Sequence, residues 1–283
     1  MDAHSSRIAT PVKPVFRWAG SKRRLVSRLA EYWKPTYQRY VEPFAGSACL
    51  FFALDPPTAL LGDINHDLID AYLAIREDPV AVFDCVHSIP LGKRSYYRQR
   101  AKDPRSLTLQ DRAARFIFLN RFCFNGLYRT NLAGAFNVPY SPARTGSLPT
   151  LADLELIAYR LSLAEIRTSD FSETIDSTAA GDFIYADPPY AVSTSRIFRE
   201  YDPHSFAVDD IPRLADCLQR ADARGAKIVV TYADSSEFRQ SFSHWHMSRV
   251  RTPRNISGFA KHRRSAIEII ATNVVKPNAG ATV

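Results

Sequence analysis

Phe183-Ile184-Tyr185-Ala186-Asp187-Pro188-Pro189-Tyr190 is the stretch from which the rest of the chain can be laid out. Its first four residues are apolar, follow Gly181, and read as a buried parallel strand. Neither proline can donate a ladder hydrogen bond, so the strand stops at Asp187. A carboxylate, two rigid turns and an aromatic ring then stand at the carboxyl end of a strand. Open α/β sheets bind ligands at that edge.

An exocyclic aromatic amine is a poor nucleophile, because its lone pair is drawn into the ring. It improves when its two N–H groups donate to fixed acceptors. Asp187 offers one acceptor and the Pro188 carbonyl, freed where the ladder ends, offers another. Tyr190 can stack on a base turned out of its helix. Asp-Pro sequences also make plain turns between strand and helix. The apolar strand before the turn and the Tyr after it favour chemistry.

Upstream, Tyr40-Val41 leads through Glu42-Pro43-Phe44-Ala45-Gly46-Ser47-Ala48 into the apolar run Cys49 to Leu54. This is strand, tight Gly turn, helix, the first βα unit of a nucleotide-type fold. The turn is not G-x-G-x-x-G, so a nicotinamide dinucleotide enzyme loses its main support. Ala59 to Gly62 reads as the second strand and ends on Asp63, 17 residues after Gly46. An acid there can accept both hydroxyls of a ribose, and Asp63-Ile64-Asn65 equally fits a helix N-cap. Further strands are expected at 164–168, 227–231, 244–250 and 267–272, and helices at 67–75, 150–161, within 205–224, and at 235–242. Near the N-terminus, Arg17-Trp18-Ala19-Gly20-Ser21-Lys22 precedes a helix-compatible stretch to Trp33. That turn could close over a charged small molecule or simply cap a helix.

Residues 66 to 148 break the βα rhythm. A helix carrying Arg112, Arg115 and Arg121 runs into Phe124-Asn125-Gly126-Leu127-Tyr128-Arg129, and the chain returns through Phe136 to Tyr140 as a hairpin. Arginines and aromatics so placed suit a nucleic-acid groove, or form a solvated face over a small core. From Arg249 to Arg264 there are six Lys or Arg residues, Arg251 and Arg254 among them, and no acid. Such a run suits phosphates, or is a plain surface turn.

The net charge of +8 points to a polyanionic partner. Cys49, Cys85, Cys123 and Cys217 have no paired short spacing, so they read as thiols of a reducing compartment and not as a zinc site or disulfide frame. No apolar run approaches the roughly 18 residues of a membrane span, and the first residues lack a signal-peptide core. A cytoplasmic location is expected, with no membrane.

With these motifs in place, the chain resembles the Dam-type DNA N6-adenine methyltransferases of the D12 class, from Arg17 to Asn273. Arg-Trp-Ala-Gly-Ser-Lys at 17–22 is similar to that family's Lys-Trp-Ala-Gly-Gly-Lys. Val41 to Ser47 resembles its cofactor turn, Gly62 to Leu68 its second-strand motif, and Asp187 to Tyr190 its catalytic tetrapeptide. Asn125 to Pro139 resembles the target-recognition hairpin of the Dam branch.

The resemblance implies an α/β, Rossmann-like S-adenosylmethionine-dependent sheet in residues 1–65 and 149–283. Into it is inserted a mostly helical target-recognition domain with a β-hairpin, residues 66–148. It implies Asp187, Pro188, Pro189 and Tyr190 as the catalytic group. Trp18, Lys22, Phe44, Asp63, Asp170 and Asp187 would line the S-adenosylmethionine pocket. Arg17, Phe124, Asn125, Leu127, Arg129 and Pro139 would meet duplex DNA, joined by Arg251 and Arg254 of the basic run. Phe124 and Asn125 fall where the family fills the gap left by the flipped base, and Arg17 and Arg129 where it reads guanines. The departures are Ala48 for the second Gly of the cofactor turn, Ser21 for Gly, Phe124 for Tyr and Arg17 for Lys.

An arginine fork matches O6 and N7 of guanine. Two guanines around adenine and thymine give GATC, the site that a Dam-like hairpin implies. No metal is needed, since the leaving group is neutral. A bacterial or phage-encoded enzyme, monomeric or a weak dimer on DNA, is expected. Two alternatives are an RNA adenine-N6 methyltransferase and a non-catalytic adenosine-sensing DNA-binding protein. A groove-reading hairpin argues against the first. Asp187 and Tyr190, which a pure binder does not need, argue against the second.

Overall fold

Strands β1 (Tyr40–Glu42), β2 (Ala59–Asp63), β3 (Ala164–Thr168), β4 (Phe183–Ala186) and β5 (Lys227–Ala233) pair in parallel, in the order β3-β2-β1-β4-β5. This is a computed structural model, and it describes residues 12–131, 133–141, 146–190, 206–253 and 265–274. Two more strands, β6 (His246–Pro253) and β7 (Ser265–Thr272), complete a seven-stranded sheet. β7 runs antiparallel between β5 and β6. The fold is thus the expected mixed α/β, Rossmann-like sheet.

Helices cover both faces, which is why the inner strands are apolar without alternation. Tyr40, Phe183, Tyr185 and Val229 face one core, and Val41, Ile184, Ala186, Ile228 and Val230 the other. The first core takes α1 (Val26–Ala30), α2 (Cys49–Leu54), α3 (His66–Glu77), α4 (Pro79–His87), α5 (Lys93–Ala101), α6 (Leu109–Phe122) and α7 (Leu151–Leu161). The second takes α8 (Phe171–Asp176), α9 (Asp210–Ala223) and α10 (Ser236–Ser241). α3 to α6 lie between β2 and β3, yet share the first core: Phe16 meets Tyr72 and Phe116 edge-on at 5.1 and 5.0 Å.

Three readings of the sequence are corrected here. The stretch Arg23 to Trp33 holds only the five-residue helix α1. The arginines of α6 do not form a basic face. Arg115 and Arg121 are buried and donate to the carbonyls of Gln99 and Val15, while Arg112 pairs with Asp70 at 3.0 Å. A buried guanidinium must find acceptors, and these find backbone ones. The hairpin is antiparallel without regular strands, held by the bridges Cys123↔Tyr140 and Thr130↔Phe136. At its turn the Asn131 side chain accepts the N–H groups of Ala133 and Ala135, so a side chain replaces strand pairing there.

Candidate active site

The strand order reverses between β1 and β4, and a cleft of about 760 Å³ opens at the carboxyl edge there. Glu42, Asp63, Asp170 and Asp187 make it rich in carboxylates, and Trp18, Phe44 and Phe206 give it apolar faces.

The turn after β1 is built around Gly46, whose φ is +46°. A Cβ at that position would lie 2.8 Å from Trp18 Cδ1, so only glycine admits the indole against the backbone. Trp18 in turn stacks on Tyr128, 6.1 Å between centroids. Ala48, where the family has Gly, keeps a left-handed backbone with φ 47°. Ser21, a second of the four departures, meets Ser47 hydroxyl to hydroxyl at 3.0 Å and ties two cleft loops together.

The two readings of Asp63 separate cleanly. Asn65 is the cap of α3, accepting from the Leu68 N–H at 3.1 Å. Asp63 faces the cleft, with Oδ2 accepting the Gly46 N–H and Oδ1 the Asn65 N–H. Each oxygen retains a lone pair for a ligand. Burial raises its carboxyl above the ordinary value, and the backbone N–H groups pull against that shift.

Lys22, Asp187 and Tyr190 meet in one network. Lys22 Nζ lies 2.8 Å from Asp187 Oδ1 and donates to the Gly20 carbonyl and the Tyr190 hydroxyl, both at 3.1 Å. Thr231 of β5 donates to the same Oδ1 at 2.8 Å. Burial raises the Asp187 carboxyl, with Lys22 and Thr231 opposing. Burial also works against the charge of Lys22, yet Asp187, Tyr190 and Glu268 outweigh it and hold the ammonium above the ordinary lysine value. Burial outweighs the opposing partners and leaves the Asp187 carboxyl above its ordinary value, while the Lys22 ammonium 2.8 Å away draws it back towards the ionised form.

Phe44 packs on Phe171 and Phe206 at 5.3 and 5.9 Å. Asp170 caps α8 and is gripped by Arg213 at 2.7 and 3.1 Å, an ion pair that holds its carboxyl below the ordinary value despite burial. Pro188 is buried and Pro189 exposed beside Asp187.

The remaining candidates fall into a second group. Arg17 exchanges backbone hydrogen bonds with the Asn120 side chain and donates from Nη1 to the Arg121 carbonyl. A Cβ on Gly126 would touch Arg17 Cβ at 2.6 Å, so Arg17 abuts the Phe124–Gly126 turn. Phe124 is 46% exposed, and Asn125 beside it has φ 55°. The Phe124 N–H donates to the Pro139 carbonyl, and Arg129 Nε donates to Asn137 Oδ1 at 2.7 Å. Leu127 is half-buried against the first core, while Arg129 is exposed. Arg251 is exposed on β6 and is not brought into contact with this group among the described residues. Arg254 lies outside the described residues.

Sequence reasoning missed Glu42, Tyr128, Thr231 and Glu268. Glu42 is buried, accepts from the Tyr40 hydroxyl at 2.9 Å, and has its carboxyl raised well above the ordinary value, by burial first. Its signal was an acid ending a strand just before proline, the same pattern as Asp187. Glu268 was signalled as a lone acid inside the apolar run of β7.

Strand order, cleft and acid network together define an α/β fold with a ligand-sized site at its topological switch point. Comparison with known proteins gives the family. The sequence profile described as D12 class N6 adenine-specific DNA methyltransferase matches residues 18–256. The chain is 30% identical over 277 residues to the Type II methyltransferase M1.LlaDCHI of Lactococcus lactis subsp. cremoris, covering 93% of this chain and 95% of that one. It is 32% identical over 264 residues to the Retron Ec67 DNA adenine methylase of Escherichia coli, covering 92% and 90%. To the DNA adenine methylase of Vibrio cholerae serotype O1 it is 31% identical, over 90% and 94%. The chain belongs to the D12 class of N6 adenine-specific DNA methyltransferases. Membership implies DNA as substrate and a methyl donor. Among the described residues, no helix is long and apolar enough to cross a membrane.

Proposed function

We propose that the cleft binds S-adenosylmethionine and that the enzyme methylates N6 of an adenine turned out of duplex DNA, within GATC. The observation that carries this reading is the posture of Asp187. Its Oδ1 is fixed by Lys22 and Thr231, while Oδ2 meets no partner among the described residues and the side chain lines the cleft. The Pro188 carbonyl likewise has no donor among the described residues.

The residues present fit the donor. A pocket of about 760 Å³ lies within the usual range of roughly 300–1,000 Å³ for small-molecule sites. Its carboxylates suit a ligand with cationic sulfur and nitrogen, Asp63 suits a ribose, and Phe44 and Trp18 suit flat or apolar parts. When bound, the donor supplies a methyl group on positively charged sulfur, so the departing thioether is neutral.

Asp187 Oδ2 and the Pro188 carbonyl accept the two N–H groups of N6, which returns electron density to nitrogen as it attacks. Tyr190 stacks on the base, and Lys22 keeps Asp187 from turning away. The proton that N6 sheds passes to Asp187 Oδ2 along the hydrogen bond already made. Residues 66–148 serve as the target-recognition part, with Arg129 as a guanine reader and Phe124 and Asn125 at the vacated base position, and Arg17 reads a second guanine from the catalytic part. Residues 1–65 and 149–283 serve as the catalytic part.

The test is protection. DNA saturated with enzyme and donor is challenged with an endonuclease blocked by adenine methylation in GATC. Resistance is expected, and complete cutting would remove the GATC assignment.

A further inference from the structure

We propose that Glu268 is a positioning residue for methyl transfer, holding the Tyr190 hydroxyl from β7 so that the ring stays aligned with the target base. The inference rests on the adenine-methylation reading above.

Because β7 is antiparallel to β5, its early residues reach the carboxyl edge of the sheet. Glu268 pairs there with Ala233, the last residue of β5. It is the one acid of the strand Ser265–Thr272, and it is buried. A carboxylate in such a place is costly unless it has polar partners. Tyr190 donates to Glu268 Oε1 at 3.0 Å, and Lys22 Nζ lies 3.8 Å from Oε2. The same Tyr190 hydroxyl accepts from Lys22 at 3.1 Å.

The hydroxyl is therefore held between a carboxylate and an ammonium, while Tyr232 meets the ring edge-on at 5.5 Å. Tyr190 itself belongs to no helix or strand. Its side-chain contacts supply the fixity that backbone pairing gives elsewhere. Burial pushes its phenol up to about 12, so the hydroxyl remains a donor to Glu268 around neutral pH. Nothing in this arrangement contacts the base through Glu268. Its influence passes through Tyr190.

The experiment compares single-turnover methylation of an adenine-containing duplex, with the Kd for DNA measured alongside. The proteins are the wild type, Glu268→Ala, Glu268→Gln, Tyr190→Phe and the double variant Tyr190→Phe with Glu268→Ala. Loss of a hydrogen bond to a charged group should slow Glu268→Ala about tenfold, with Kd unchanged. Glu268→Gln keeps an acceptor oxygen facing the hydroxyl and should recover most of the rate. In the Tyr190→Phe background, Glu268→Ala should add less than about a twofold loss, since the coupling is already gone.

A fast Glu268→Ala, a Glu268→Gln as slow as Ala, or a full additional loss in the Phe background would each overturn the inference. Should Glu268→Ala not fold, Tyr190→Phe must be slow and Glu268→Gln must not be. A wild type that leaves adenine unmethylated would refute the reading beneath it. Active wild type without Glu268–Tyr190 coupling would refute this inference alone.

Discussion

Lys22 Nζ stands 2.8 Å from Asp187 Oδ1, joining the loop before α1 to the end of β4 across the floor of the cleft. The contact fixes one carboxylate oxygen and leaves the other for a ligand. It also couples the protonation of the two groups. Burial raises Asp187 and Lys22 lowers it. Removing the cation in Lys22→Met should therefore raise the Asp187 pKa further. The acid limb of the pH profile for kcat/KM should move to higher pH, with a lower plateau. Superimposable profiles for the two proteins would show that the pair is not coupled during catalysis.

Glu42 gives a stability prediction of defined sign. Its folded carboxyl is raised well above the ordinary value of 4.5, with burial the first cause. As pH climbs through that ordinary value, the unfolded chain releases the proton first, and the folded state loses stability until its own pKa is passed. Glu42→Gln cannot ionise. Relative to wild type, it should gain stability steadily as pH rises above the ordinary carboxylate range, as read by urea unfolding at a series of pH values. A constant difference between the two proteins at all pH values would mean that Glu42 is not held protonated.

Much of this was legible in the sequence. Strands β3 and β4 and helix α2 have the expected limits; β4 is an apolar run between Asp182 and Asp187, and β3 alternates buried Ala164 and Ile166 with exposed Glu165. Asp63 and Asp187 were visible as acids ending buried strands. The arginines of α6 misled, since a guanidinium reads as surface charge until its backbone acceptors are known. Thr231 and Glu268 were hidden for a different reason. Each comes from a strand on the far side of β4, and only the pairing of β5 with β7 brings Glu268 to the carboxyl edge.

Gly46→Ala should damage donor binding more than folding. The new Cβ would fall 2.8 Å from Trp18 Cδ1 at a residue with φ +46°, so the indole must leave its place against the turn. Calorimetric titration with S-adenosylmethionine should show Kd rising about tenfold or more, some 1.4 kcal/mol. Unchanged affinity would exclude Trp18 from the pocket.

Arg129→Ala should relax sequence preference at a single base pair. The guanidinium is exposed and already oriented by Asn137 Oδ1 at 2.7 Å, which leaves its Nη groups for a guanine edge. The loss should be about 1–3 kcal/mol on the preferred duplex and small on duplexes altered at that pair. Equal weakening on every duplex would make Arg129 a phosphate contact.

The decisive measurement is nucleoside analysis by mass spectrometry of duplex DNA treated with wild type or Asp187→Ala and S-adenosylmethionine. Wild type should yield N6-methyladenine as the methylated nucleoside. Asp187→Ala should transfer methyl at under about a tenth of that rate, a loss above ~1.4 kcal/mol, while still binding DNA. Methyl groups on another base, or an Asp187→Ala variant that keeps pace with wild type, would contradict the mechanism built on Asp187.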